Sequence, residues 1–210
     1  MTRQLPSRRT LALLVTLLVT AAVGAEQRAQ SGSVATEKIF EALTIREGGT
    51  VCEIGAGDGE LSLAAAKLVG PGGHVYASEL GDGRVKTLQQ KVTASGFAQM
   101  TVVTGDPVKT NFPDAACDAL FMRNVYHHFE DPAAINKSIA AAVKPGGRVA
   151  VVDFTPPGKE ADRPSDRDND GMHGISAESL SRELKEAGFE PIASELGSQR
   201  WFMVVVSKPR

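Results

Sequence analysis

Val51-Cys52-Glu53-Ile54-Gly55-Ala56-Gly57-Asp58-Gly59 is the stretch that orders the rest of the chain. A short run enters an acid, three glycines follow at alternate positions, and an alanine-rich run from Leu61 to Leu68 comes next. That order predicts a buried strand, a tight turn and the start of a helix. Glycine lacks Cβ, so such a turn can take positive φ and let a ligand lie against its backbone. The helix behind it aims free N–H groups and a positive dipole end at the same place.

The spacing selects the ligand. A dinucleotide turn needs G-x-G-x-x-G, and its third glycine position falls here on Glu60. What stands is E-x-G-x-G-x-G, with Glu53 two residues before Gly55. An acid there suits a cationic group. A second acid, Glu79, closes the next apolar run, His74-Val75-Tyr76-Ala77-Ser78, and lies 20 residues past Gly59. A carboxylate so placed can take both hydroxyls of a ribose. A ribose joined to a cationic amino acid tail describes S-adenosylmethionine (SAM).

Further along, strands and helices alternate. Thr36 to Arg46 reads as a helix, Met100 to Val103 and Asp118 to Met122 as strands, and Arg148 to Phe154 as a fifth strand. Asp82, Asp131 (before Pro132) and Ser176 are placed to cap helices. Phe189 to Leu196 and Arg200 to Ser207 form a closing hairpin across Gly197-Ser198-Gln199. The predicted fold is α/β: a Rossmann-like three-layer sandwich around a seven-stranded, mostly parallel sheet with an antiparallel C-terminal hairpin strand. Thr155 to Ile175 is a long polar loop, a length that usually carries function.

The chain resembles the class I SAM-dependent methyltransferases from about Glu37 to Ser207. The glycine turn, Asp106 after the third strand, Asn124-Val125-Tyr126-His127-His128-Phe129 after the fourth and Lys144-Pro145-Gly146-Gly147-Arg148 before the fifth stand in family order. Within the family it looks most like the small-molecule branch around the ubiquinone/menaquinone C-methyltransferases.

That resemblance implies a cofactor site made of Glu53, Gly55, Ala56, Gly57, Gly59, Glu79, Leu80, Asp106, Pro107, Arg123 and Asn124. Glu53 would lie near the methionine amino group, Glu79 on the ribose, Leu80 on the adenine and Asp106 on its amino group. Arg123 and Asn124 would face the methionine part. Pro107 departs from the pattern, because it has no N–H for an adenine ring nitrogen; Val108 is placed to supply one instead. His127, His128 and His173 are the candidates for substrate contact or for a base, with Asp153 a further one. Two adjacent histidines are not expected to face the same way. In the family the loop ending at His173-Gly174-Ile175 closes over the substrate.

Asp166-Arg167-Asp168-Asn169-Asp170-Gly171 begins like a calcium loop, but its twelfth position, where a bidentate Glu belongs, is Ala177. A solvated, self-paired loop is expected there, and no metal site.

Residues 1–25 form a separate segment. Arg3, Arg8 and Arg9 precede an apolar run from Leu11 to Val23, and Val23-Gly24-Ala25 fits a cleavage site. This is a signal peptide pattern, with Ser7-Arg8-Arg9-Thr10-Leu11 also matching a twin-arginine export signal. An exported, periplasmic protein is expected, comprising residues 26–210, with no stable membrane span in the mature chain; an uncleaved N-terminal anchor is the alternative. Removing residues 1–25 takes away three arginines and no acid, so 23 basic side chains become 20 against 25 acidic, a net charge of −5. That charge, with 5% aromatic residues, argues against a nucleic-acid substrate. Cys52 and Cys117 fall on neighbouring buried strands and are expected to be two free thiols, since such strands rarely present disulfide geometry.

Two further readings stand beside small-molecule methyl transfer. An exported, non-catalytic module that binds a SAM-like ligand would avoid the need to supply SAM outside the cytoplasm. A nucleotide-dependent oxidoreductase would share the sheet, but the glycine spacing speaks against it.

Overall fold

The computed structural model describes residues 34–197 and 199–210. The proposed signal segment lies outside them. Seven strands form one sheet: β1 (Thr50–Ile54), β2 (His74–Glu79), β3 (Met100–Thr104), β4 (Cys117–Arg123), β5 (Val143–Phe154), β6 (Glu190–Leu196) and β7 (Trp201–Ser207). Their order is β3-β2-β1-β4-β5-β7-β6, with β1 to β5 parallel and β7 antiparallel to both β5 and β6. The predicted sheet and its closing hairpin are both present.

Alternation along the inner strands builds two cores. Ala119 and Phe121 of β4 and Ala150 and Val152 of β5 face one side; Leu120, Met122, Val149 and Val151 face the other. The first side is covered by α1 (Thr36–Ala42), α2 (Glu60–Val69) and α3 (Asp82–Ser95), through Ile39, Leu61, Ala65 and Leu88. The second is covered by α4 (Pro132–Ala142) and α5 (Ala177–Glu186), through Ile135, Ile139, Leu180 and Leu184. Burying each such Leu or Ile contributes roughly 1.5–3 kcal/mol. The apolar spacing of these helices is therefore what fixes three layers.

The caps follow the sequence in two cases of three. Asp131 Oδ1 accepts from Ala134 N at 3.0 Å and Ser176 Oγ from Ser179 N at 3.1 Å. Asp82 is instead the first helical residue, and Gly81, with φ 81°, stands at the cap position. α1 ends four residues earlier than expected, at Ala42, because Thr44 turns to φ 53°.

The cysteines correct the sequence expectation: Cys52 and Cys117 form a disulfide, closing a separation of 65 residues. Cys52 stands opposite Leu120 in the β1–β4 register, not opposite Cys117. The pairing of β4 with β5 is irregular between Cys117 and Ala119, and Cys117 turns into the same buried cluster as Cys52. Their Cα atoms are 5.8 Å apart, within bonding reach. The expectation of free thiols assumed an unbroken ladder.

No helix among the described residues is long and apolar enough to cross a membrane.

Candidate active site

The strand order reverses between β1 and β4, and in open α/β sheets ligands bind at the carboxyl ends of such a pair. A cavity of about 600 Å³ opens there. Its wall includes Gly55, Gly57, Glu79, Leu80, Asp106, Pro107, Arg123, Asn124 and His128, gathered from the ends of four strands.

The turn after β1 is shaped by what its glycines leave out. A Cβ on Gly55, at φ 69°, would lie 2.4 Å from Val125 Cγ2. Bare backbone there lets the segment after β4 pack against the turn. A Cβ on Gly57 would meet no protein atom within 4 Å, so that position opens on the cavity. Gly57 N–H donates to Glu79 Oε2 at 2.7 Å and Leu80 N–H to Glu79 Oε1 at 2.9 Å. Glu79 is thus held at the wall with a lone pair left on each oxygen for a further donor. Arg84 Nη1 approaches Oε1 at 3.8 Å, a contact the sequence reading missed.

Three of the residues assigned to the cofactor do not reach the wall. Glu53 is buried behind it and accepts a hydrogen bond from Ser62 Oγ. Burial pushes its carboxyl up to about 8, against the lowering effects of the Ser62 bond and of Arg123. Its place supports the turn from beneath, behind the wall where the family resemblance sets the amino group. Ala56 is buried, its N–H on Ser78 O at 2.9 Å, and Gly59 stands at the N-cap of α2.

Asp106 and Pro107 are exposed at the rim. Asp106 Oδ1 accepts from Val108 N at 2.9 Å. That bond uses the N–H expected to substitute for the one Pro107 lacks, so Val108 is not a free donor. Arg123 sits 3.8 Å from Glu60 Oε2, and Asn124, at φ 60°, bends the chain out of β4 while its N–H bonds Val152 O at 2.8 Å. Asn tolerates that left-handed backbone better than most residues.

The bend leads into one turn of 3₁₀ helix, Tyr126–His128. His127 is buried; its Nδ1 lies 2.8 Å from Asp153 Oδ1, and its backbone N–H donates to Asp153 Oδ2 at 3.2 Å. Asp153, fully buried at the end of β5, also accepts from Phe154 N at 2.8 Å. His127 Nε2 is 2.9 Å from His173 Nε2. His128 is exposed on the cavity side, with Nδ1 at 2.7 Å from Asp168 Oδ1. The ring centroids of His127 and His128 are 3.9 Å apart. The expectation that adjacent histidines do not face the same way is corrected: the 3₁₀ turn brings both rings to one cluster with His173. Burial, then the nearby His127, lowers the pKa of His173 below the usual histidine value.

Tyr126 points into the opposite core. Its hydroxyl donates to Glu183 Oε2 at 3.0 Å and accepts from Asn136 Nδ2 at 2.7 Å, while Glu183 also pairs with buried Arg167. Arg167 thereby ties the long loop to α5. Gly174 N–H on Arg167 O at 3.2 Å and Ile175 N–H on Phe154 O at 3.0 Å tie it to the end of β5. His173 is set by those two bonds.

A glycine turn, a carboxylate closing the second strand and a crevice at the switch in strand order place the cavity where open α/β domains bind their ligands. The sequence model of the family described as a methyltransferase domain matches residues 26–194. A ubiquinone/menaquinone biosynthesis C-methyltransferase, UbiE, of Ectopseudomonas mendocina is 34% identical over 119 residues, 54% of this chain and 45% of that protein. A SAM-dependent methyltransferase from Aquifex aeolicus superposes with a TM-score of 0.71 at 23% identity, covering 82% of this chain and 88% of that one. The [4+2]-cyclase SpnF superposes equally well, at 0.71 and 18% identity, covering 83% of this chain and 79% of that one. The chain therefore belongs to the SAM-dependent methyltransferase family, and S-adenosylmethionine is its cofactor. The residues present fit that group: Gly57 leaves room at the turn, and Glu79 offers free lone pairs at the wall. The chain spans less than half the length of the curated relatives it matches.

Proposed function

We propose that this protein transfers a methyl group from SAM to a small-molecule acceptor, and that it does so after export. The observation that carries the reading is the Glu79 carboxylate, fixed at the cavity wall by Gly57 and Leu80. Glu79 would hold the ribose, the bare backbone at Gly57 would admit the methionine part, and Leu80 would cover the adenine. When bound, SAM supplies a methyl group on a sulfonium that is already a good leaving group. The chain's task is then alignment of an acceptor and, where that acceptor must lose a proton, a base. Asp153 holds His127 with its proton on Nδ1, which leaves Nε2 to accept one through His173. His128 and the loop ending at His173 face the acceptor side.

Small acceptors of the quinol or phenol kind agree with the UbiE relative and with a cavity of this size. Export is supported by the N-terminal pattern and by the Cys52–Cys117 disulfide, a bond typical of oxidising compartments.

Calorimetric titration with S-adenosylhomocysteine, NAD serving as control, tests the cofactor. Transfer of labelled methyl from SAM to a panel of quinols, phenols and amines tests the activity. Binding without transfer to any acceptor would favour the ligand-binding module, a reading that the cyclase SpnF keeps open by sharing the fold. N-terminal sequencing of the protein recovered from the periplasm tests export and cleavage after Ala25.

A further inference from the structure

His127, His128, Asp168 and His173 each bring one nitrogen or oxygen to a common point, all four atoms lying within 4.8 Å of one another. We propose that this cluster is a binding site for one divalent transition-metal ion, zinc by its chemistry, and that the ion pins the loop over the mouth of the cofactor cavity.

The distances support a shared ion. In tetrahedral zinc sites with nitrogen and oxygen ligands, neighbouring ligand atoms stand about 3.3 Å apart. Here His128 Nδ1 to Asp168 Oδ1 is 2.7 Å, His127 Nε2 to His173 Nε2 is 2.9 Å and His173 Nε2 to Asp168 Oδ1 is 3.8 Å. Shifts of about half an ångström bring these three pairs to the tetrahedral value, and the other three pairs lie within 4.8 Å. Three of the four side chains are half exposed, so such shifts cost little.

The second observation is the support behind the cluster. His127 gives its Nδ1–H to Asp153, which is fully buried and unable to turn elsewhere. Metal-bound imidazoles are oriented by just such a carboxylate on the far nitrogen. Asp153 fixes the tautomer and aims a lone pair on His127 Nε2 at the cluster. Charge also closes: two positive charges on the ion meet Asp168 at first hand and Asp153 through one ring. Three imidazoles and one carboxylate, with no thiolate, suit Zn²⁺, Co²⁺, Ni²⁺ or Cu²⁺ rather than Ca²⁺ or Mg²⁺.

The site joins two elements that the sheet does not. His127 and His128 come from the turn after β4; Asp168 and His173 come from the loop between β5 and α5. Asp168 belongs to the charged run that failed as a calcium loop and was expected to be only solvated. His128 lies on the cavity wall, so an ion here reports on the acceptor side without touching Glu79; while bound it occupies the His127 and His173 lone pairs, so the base role belongs to the metal-free protein.

The test needs neither SAM nor an acceptor, so its failure is distinct from failure of the methyl-transfer reading. The untagged, chelator-treated protein is titrated with Zn²⁺ by calorimetry and with Co²⁺ by visible absorption. The chain has four histidines, so His74 alone lies outside the cluster and background is small. One ion per chain, with tetrahedral Co²⁺ bands, is the expected result. His173→Ala and Asp168→Asn, both on the exposed loop, should weaken binding by at least 100-fold. Asp153→Asn should weaken it about 10–100-fold while touching no metal itself. Circular dichroism confirms that each variant is folded. Wild-type binding no tighter than that of the His128→Ala/His173→Ala double variant would overturn the proposal. So would Zn²⁺ affinity that none of these changes alters.

Discussion

Asp153 Oδ1 and His127 Nδ1 meet at 2.8 Å where neither side chain reaches solvent. A carboxylate so confined decides which nitrogen of the ring carries its proton. In the metal-free protein, where His127 Nε2 is open, replacing Asp153 with Asn should therefore lower kcat by about 100-fold for an acceptor that must be deprotonated. KM for SAM should change little, because the pair lies away from Glu79. Steady-state kinetics across pH, with an acceptor that carries an ionisable hydroxyl, checks both.

Glu79 has the opposite profile. Hydrogen bonds to a charged acceptor are worth about 1.5–3 kcal/mol each. Losing two of them in Glu79→Ala predicts at least about a 100-fold weaker Kd for S-adenosylhomocysteine. Glu79→Gln keeps an acceptor for one of the two backbone donors and should bind with intermediate strength. Calorimetry on both variants separates lost ligand contact from a collapsed turn.

Gly55 and Gly57 should part company under the same substitution. Gly55→Ala places a Cβ on Val125 at an already unfavourable φ, so its main cost falls on stability. Gly57→Ala meets no protein atom and should fold with a loss of about 1–2 kcal/mol from its left-handed backbone. Its larger effect should be on cofactor affinity. Paired thermal melts and ligand titrations check the division.

Stability should fall as pH rises across the range governed by Glu53. The group is protonated in the folded protein up to about 8, whereas it ionises near 4.5 when unfolded. The stabilisation is fully present below the lower value and is lost as pH climbs through the upper one, at about 1.4 kcal/mol per pH unit at most. Glu53→Gln retains an acceptor for Ser62 and cannot ionise. Its denaturation midpoint should depend less on pH between 5 and 8 than that of wild type, and exceed it at the alkaline end.

The disulfide closes a loop long enough to contribute about 4 kcal/mol in the chain-entropy model. For a domain of this size that corresponds to roughly 10 °C in Tm. Calorimetric scans of wild type and of Cys52→Ser/Cys117→Ser, each with and without reductant, should show that difference only in the oxidised wild type.

The sheet, and the gathering of most residues assigned to the cofactor around one cavity, were legible because local rules produce them. Glycine spacing, acids at strand ends and apolar periodicity all act within about ten residues. The burial of Glu53 was not legible because a buried and an exposed acid look alike in sequence; Ser62, one helical turn into α2, is its partner. Val108 was misjudged because a side chain two residues back satisfies its N–H. The disulfide and the histidine cluster depend on tertiary accidents: an irregular register near Cys117, a 3₁₀ turn at Tyr126–His128 and a loop that returns 46 residues after His127. No periodicity records those.

Cys52 and Cys117 are both fully shielded once the sheet is complete. An oxidant cannot reach two thiols inside a finished core, so the bond has to form while β1 and β4 are still apart. Covalent maturation is thereby locked to the place where the chain folds. A chain that folds before it is translocated would arrive with its cysteines reduced and stay so, whereas one threaded across as an open polypeptide would arrive able to join them. Under the proposed export, the redox state of this one pair would tell the two routes apart.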